Sequence, residues 1–205
     1  MILALWLPAG ARTMRDFIAT EPGNVFMTLP ASTRLDMIDY YDAGGTATLP
    51  TLTDGSATLQ VLTDDYMKMS TSGARTVELK LLTTRRDTML LAIETVSLPV
   101  QDSRVSCYDR NWAPMPLKRV VDTPSWRDLF APNADDATRD SVMRVVKFPL
   151  LTWHCRGDKH DSIVVEPTLA DFYSAEPATE RLLRRALRHE IVYTIKGTKL
   201  RRTGK

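Results

Sequence analysis

Cysteine and histidine, which most often ligate metals or act in catalysis, are scarce: the 205 residues include two cysteines and three histidines. They adjoin only at His154 and Cys155. Neighbouring side chains on a strand point to opposite faces, so these two cannot close one metal site. We therefore predict no metal site. A disulfide, which export would permit, and two buried free thiols both remain open for Cys107 and Cys155.

Sequence motifs of known catalytic and cofactor sites are also missing. There is no Gly-x-Ser-x-Gly elbow, phosphate loop or dinucleotide fingerprint. The adjacent acids Asp64-Asp65 and Asp135-Asp136 are more typical of turns than of an acid/base pair. We predict no catalytic residue and no cofactor. The alternative is a hydrolase assembled from scattered Asp, His and Ser residues, which a deep pocket gathering His154 or His160 with acids would favour.

No apolar run approaches the roughly 20 residues that a membrane-spanning helix needs, so we predict no span. Residues 2–7 are a short apolar run, and Ala9-Gly10-Ala11 has the small-x-small pattern that signal peptidase prefers, although a basic segment ahead of it is missing. We interpret residues 1–11 as a signal-peptide remnant and expect a periplasmic or secreted protein that begins near Arg12. The alternative is a short N-terminal element that packs on the body.

With 43% hydrophobic and 25% charged residues, the chain has a globular composition. Residues 74–108 predict three strands of an antiparallel meander. In the first, apolar and charged residues alternate, which is typical of a half-buried strand. The second, residues 88–97, is apolar almost throughout, so we expect it to be covered on both faces at the sheet centre. The alternating residues of the first strand are Val77, Glu78, Leu79, Lys80 and Leu81.

The flanking segments predict an α+β fold of antiparallel β-meander sheets with short capping helices. Residues 12–130 form a helical N-terminus plus the meander, with an irregular crossing segment at residues 111–116. Residues 131–205 form a smaller β-hairpin and helix unit with a basic C-terminal tail. A capping pattern recurs at Thr13, Ser125 and Thr168. Two related subdomains and chance recurrence of a common cap both explain it.

The tail is strongly basic, because residues 181–205 hold nine Lys/Arg and one acid. Its arginines recur at helical spacing and predict a cationic face that attracts polyanions. A solvated face that balances an acidic body is the alternative. Nucleic acid is disfavoured because Tyr193 is the only aromatic side chain there. If the tail binds polyanions, the protein should bind heparin and lose this binding on truncation at Glu180. The predicted polyanion-binding residues are Arg181, Arg184, Arg185, Arg188, Lys199, Arg201 and Arg202.

A series of ordered motifs spans most of residues 13–130: segments 34–41, 62–66 and 77–82, then Asp87-Thr88, Glu94-Thr95, Pro99, Asp102-Ser103 and Trp112. In this order they resemble a family of uncharacterised exported proteins from anaerobic Gram-negative bacteria. The family has no assigned activity, so the resemblance implies secretion or periplasmic residence but no site residue. Together with the missing motifs, it leads us to expect a non-catalytic exported or envelope-associated structural or binding protein. Its partner would be a cell-envelope component or another exported protein.

Overall fold

Two antiparallel sheets organise the chain in the computed structural model, which describes residues 12–203. Each sheet is a meander in which successive strands are neighbours. The predicted α+β fold is therefore confirmed. The first sheet contains β1 Thr48–Pro50, β2 Ser56–Leu62, β3 Tyr66–Ser72, β4 Arg75–Thr83, β5 Thr88–Val96, β6 Asp102–Asp109 and β7 Pro114–Met115; the second contains β8 Leu151–Arg156, β9 Ser162–Pro167, β10 Ile191–Lys196 and β11 Lys199–Arg202.

Short helices cover the sheets, and two of them begin with the predicted capping box. Thr13 and Ser125 each pair with an acid three residues later, which satisfies free N–H groups at the helix start. Thr168 differs, because its hydroxyl donates to the Gln101 carbonyl. The helices are α1 Met14–Ala19, α2 Ala31–Asp42, α3 Trp126–Leu129, α4 Asp136–Val145, α5 Leu169–Phe172 and α6 Pro177–Ala186, with a 3-10 turn at Leu117–Arg119.

The seven-stranded sheet separates two hydrophobic cores. One face packs against α1 and α2, and its buried residues include Leu79 and Leu90. The other face contributes Leu91 and Ile93 to a core shared with the second sheet and the remaining helices. Consecutive residues of β5 thus serve different cores, as predicted for a strand covered on both faces.

Several local predictions are wrong. The middle strand is β4 rather than β5, because three strands lie on each side of β4 in the order β1 to β7. Leu35 and Ile38, at helical spacing after Pro30, predict an inward-facing stripe on α2, but Leu35 is 47% exposed and Arg34 is buried instead. The segment before Pro116 is not wholly irregular, since β7 pairs with β6 there.

The basic C-terminal segment is not a tail. Residues after Lys196 return as β11, which pairs with β10, and Leu200 is buried in the second core. Leu200 is the only apolar residue of β11 and the other three residues are long basic side chains, so the sequence shows no strand pattern there. The division at residue 130 remains a prediction. The expected signal-peptide remnant, residues 1–11, lies outside the described residues, and no helix among residues 12–203 is long and apolar enough to span a membrane.

Candidate functional site

The second sheet meets the first along the free edge of β8. In a strand pair, alternate N–H groups point away from the partner and need other acceptors. On β8 these groups are satisfied by side chains of β6 and β4, so the edge is capped by the first sheet. The three bonds run from Leu151 N to Asp102 Oδ1 (3.0 Å), from Trp153 N to Ser103 Oγ (3.0 Å) and from Cys155 N to Glu78 Oε2 (2.9 Å).

Glu78 forms the innermost of these contacts. Its side chain is 6% exposed, contrary to the half-buried pattern read from the sequence. The same Oε2 atom also accepts a hydrogen bond from the Tyr66 hydroxyl at 2.9 Å. Lys68 Nζ lies 3.9 Å from the other oxygen, Oε1. A buried carboxylate needs such partners, because an isolated charge in a protein interior is strongly unfavourable.

Two groups beside Glu78, the Tyr66 hydroxyl and the Cys155 thiol, are held in their neutral forms. Burial raises the pKa of the Tyr66 hydroxyl, and the Glu78 carboxylate raises it further. Burial also raises the pKa of the Cys155 thiol well above its ordinary value, again with a contribution from Glu78. Since the thiolate is the reactive form, Cys155 is not an activated nucleophile.

A second polar contact joins the sheets through the β8–β9 turn. Lys80 Nζ donates to Asp65 Oδ2 at 2.7 Å and to the Lys159 carbonyl at 3.2 Å. His160 stacks on Tyr66 with ring centroids 3.7 Å apart. Its φ of 49° places it in the left-handed region, which this turn requires. The turn is thus fastened to β3 and β4 by a lysine and two aromatic rings.

A cavity of about 270 Å³ lies between the two sheets. One wall is formed by β3, β4 and β5 with the loop after β5, and the other by β8 and β9. Nine of its ten lining residues carry a polar or charged side chain, and Lys68, Glu78 and Glu166 supply one positive and two negative charges. The cavity is lined by Lys68, Thr76, Glu78, Thr95, Ser97, Gln101, Thr152, Trp153, His154 and Glu166.

The wall on the first sheet is preorganised by cross-strand pairs. Thr76 stands opposite Thr95 in the register of β4 and β5, and Lys68 stands opposite Glu78 in that of β3 and β4. The Thr95 hydroxyl also bonds the Ser103 hydroxyl at 2.8 Å, next to the cap on Trp153. The cavity wall and the sheet junction therefore share one network.

The structure separates the histidines and cysteines considered above. His154 lines the cavity with Glu78 and Glu166, whereas His160 lies in the turn and His189 follows α6. Both cysteines are free, so the disulfide alternative is wrong. Burial raises the pKa of the Cys107 thiol to about 11. Among residues 12–203, no group of three or more His, Cys, Asp or Glu side chains could hold a metal ion.

The paired acids have structural roles. Asp65 binds Lys80, and the Asp64 carbonyl accepts the N–H of Met14 at the start of α1. Asp135 caps α4 by accepting the N–H of Thr138. These contacts agree with their interpretation as turn and cap residues.

The seven predicted polyanion-binding residues differ in how they are neutralised. Arg184 binds Asp171 and Glu180, each at 2.9 Å, and Arg202 binds Asp128. Arg181 and Arg185 are exposed on α6, and Arg188 follows its end; Lys199 and Arg201 are exposed on β11. The sequence spacing predicts all four arginines on one helix face, but only Arg181, Arg184 and Arg185 lie on α6, and the spacing could not tell which arginines have acidic partners.

Sequence reasoning missed the cavity. Its residues come from five strands and a loop, and the hydroxyl residues among them resemble any polar strand face. The one available signal was Glu78 and Lys80 at the centre of a strongly apolar strand, and it was interpreted as an exposed face.

Comparisons with known proteins agree with this fold and supply no activity. A solved structure of a domain of an uncharacterized protein from Porphyromonas gingivalis W83 is similar, with a TM-score of 0.79 and 19% identity over 93% of this chain and 98% of that chain. No curated protein matches. The family model described as protein of unknown function (DUF3256) matches residues 7–200. This agrees with the predicted resemblance to an uncharacterised family from anaerobic Gram-negative bacteria, and the chain belongs to the DUF3256 family.

Proposed function

We propose that the protein is a non-catalytic binding module whose ligand site is the cavity between the sheets. The observation that carries this proposal is the shared network: the groups most suited to chemistry already hold the sheet junction together. Glu78 Oε2 is occupied by the Tyr66 hydroxyl and the Cys155 N–H. A fixed, polar, partly open wall suits recognition, because its donors and acceptors are oriented before a ligand arrives.

The lining favours a small polar ligand. Hydroxyl, amide, imidazole, ammonium and carboxylate groups surround about 270 Å³, and the Trp153 ring is buried. Such a wall can exchange hydrogen bonds with hydroxyl or amine groups but offers little apolar area.

Ligand-observed NMR with a panel of monosaccharides, amino acids and dicarboxylates tests this proposal. We expect at least one compound to show saturation transfer, and transfer to decrease in a Thr76→Val, His154→Ala variant. Thr48→Val on β1, far from the cavity, is the matched control. Equal transfer to the wild-type and cavity variants, or none to either, would contradict the proposal.

A hydrolase is the second candidate, because the cavity does gather His154 with Glu78 and Glu166. It ranks second because Glu78 Oε2 accepts hydrogen bonds from the Tyr66 hydroxyl and the Cys155 N–H, so the carboxylate is not positioned to orient the imidazole. Turnover of p-nitrophenyl esters that disappears in His154→Ala would favour the hydrolase.

We also propose export to the periplasm or the medium. The support is the small-x-small pattern at Ala9-Gly10-Ala11 and the family resemblance. Fractionation of expressing cells, with N-terminal sequencing of the product, tests it. A mature chain that begins near Arg12 is the expected result, and an uncleaved protein confined to the cytoplasm would contradict it.

A further inference from the structure

The arginines on and after α6 differ in whether an acidic side chain is paired with them. Arg181 and Arg185 are one turn apart on the exposed side of the helix, about 6 Å along its axis. The opposite side is anchored in the core through Leu183 and Ala186, which are fully buried. The chain then continues through Arg188, whose N–H bonds the Leu129 carbonyl. The three guanidinium groups therefore lie on a segment that the core holds in place.

Acidic residues neutralise only part of this surface. Arg184 is held by Asp171 and Glu180, and Glu190 is held by Arg156. Among residues 12–203, no carboxylate forms an ion pair with Arg181, Arg185 or Arg188. Asp135 is the acid on which Arg185 acts: hydrogen bonds from Thr138 lower the pKa of Asp135, and the positive charge of Arg185 lowers it further. Of the three arginines, only Arg185 acts on Asp135, which already caps α4, and Glu190 in the groove beside Arg185 and Arg188 is already paired with Arg156.

Arg188 is connected to the arginines of α6 by the grooves that it lines. Its Nε atom is buried and has no hydrogen-bond partner among the described residues, as is also true of Arg139 Nε, so this atom does not mark a ligand site. Arg188 and His189 line both a groove of about 400 Å³ beside Ala131–Asn133 and a smaller one of about 110 Å³ beside Pro167 and Ala170. An acceptor group entering either groove can reach the guanidinium group.

The spread of the arginines indicates a polymer. They form a ridge instead of converging on one point, so a chain that repeats an anionic group can engage several at once. Guanidinium groups bind sulfate, phosphate and carboxylate groups through paired hydrogen bonds. No Phe, Tyr or Trp lines the grooves around Arg181–Glu190, which disfavours nucleic-acid bases. The apolar side of α6 is already in the core, which disfavours insertion into a membrane.

We propose that Arg181, Arg185 and Arg188 form a binding ridge for an anionic polysaccharide. The other four residues predicted from the sequence are not part of the ridge. Arg184 and Arg202 are paired with acids, and Lys199 and Arg201 lie on β11. It is separate from the cavity between the sheets, so either site can be disproved without the other.

Heparin, a sulfated polysaccharide, is the probe, and substitution replaces truncation because residues after Glu180 include the buried Ile191, Tyr193 and Leu200. The ridge variant is Arg181→Gln, Arg185→Gln, Arg188→Gln. The control, Lys199→Gln, Arg201→Gln, Arg202→Gln, removes the same charge from β11. We expect the ridge variant to bind heparin at least about tenfold more weakly in physiological salt, with a shallower salt dependence, and the control to change less than about threefold.

Three results would overturn the proposal: no heparin binding by the wild type, equal weakening in both triple variants, or tighter binding to a single-stranded oligonucleotide or to anionic vesicles. Because Arg188 is partly buried, the double variant Arg181→Gln, Arg185→Gln provides a second test if the triple variant unfolds. Both of its positions are exposed, and it should retain the wild-type thermal transition. Unchanged heparin affinity in this double variant would also count against the ridge.

Discussion

On the face of the seven-stranded sheet that packs against α1 and α2, β4 contributes Val77, Leu79 and Leu81, all buried in an apolar core. On the opposite face the same strand contributes Glu78 and Lys80, which are equally buried but lie in polar contacts. The first face closes by removing apolar area from water, which needs shape complementarity but no exact pairing. The second face also contributes Leu91 and Ile93 to an apolar core, but around Glu78 and Lys80 it closes by hydrogen bonds that each require one particular partner.

The difference explains how a sheet edge becomes an interior surface. The edge of β8 exposes donors that an apolar face could not satisfy, and each is met by a side-chain acceptor from the first sheet. The polar part of the second face therefore binds the edge of β8 and lines the cavity, whereas the first face contributes only to the core with α1 and α2. The contrast predicts that the two faces respond differently to substitution and to pH.

The largest effect is expected at the centre of β4. Leu79→Ala should lower the free energy of unfolding by about 3 kcal/mol through cavity formation. Glu78→Ala should lower it by about 2 kcal/mol, because the Tyr66 hydroxyl and the Cys155 N–H lose their acceptor. Glu78→Gln keeps an acceptor oxygen and should cost less than Glu78→Ala. Urea unfolding measures all three, and equal values for the two Glu78 variants would break the contrast.

Alkaline pH should weaken the polar face next. The pKa of Tyr66 is raised in the folded protein. The stability that the protonated Tyr66 hydroxyl contributes is therefore complete below the ordinary pKa of 10.0 and is lost as the pH rises above it. The expected slope is about 1.4 kcal/mol per pH unit for this group. Tyr66→Phe should flatten the fall of the unfolding free energy above pH 10, whereas Tyr40→Phe, at a 53% exposed position, should not. Identical slopes in the two variants would show that Tyr66 does not report on this junction.

The smallest effect is expected at a single edge cap. Ser103→Ala removes the acceptor of the Trp153 N–H and should cost about 1 kcal/mol. Hydrogen exchange at the Trp153 amide should accelerate, because the amide loses its partner. Ser56→Ala, at an exposed position of β2, is the control and should leave that amide unchanged. Unaltered exchange in Ser103→Ala would mean that β8 is held by packing rather than by caps.

Much of the fold was predictable because local patterns carry it. The alternation in β4, the apolar run of β5 and the cap pairs at Thr13 and Ser125 are properties of neighbouring residues. The structure contains both strands and both caps, although residues 77–82 of β4 are buried throughout and not at alternate positions. The errors have a common physical source. Leu35, Glu78 and the strand β11 were misjudged because burial depends on what another segment places above a residue, and spacing along the chain does not contain that information.

Hydrophobic periodicity and helix caps act over a few residues, so the residue pattern sufficed to predict the antiparallel meander, the capped helices at Thr13 and Ser125 and the arginines on the exposed side of α6. The folded chain was needed to show that Glu78 is a buried acceptor, that His154 shares a cavity with two carboxylates, and that Arg184 is neutralised while Arg181 and Arg185 are not. These features depend on contacts between residues that are distant in sequence or come from different elements. Hydrogen bonds and ion pairs are short-ranged and directional, so their partners are fixed only when the two sheets and the helices meet.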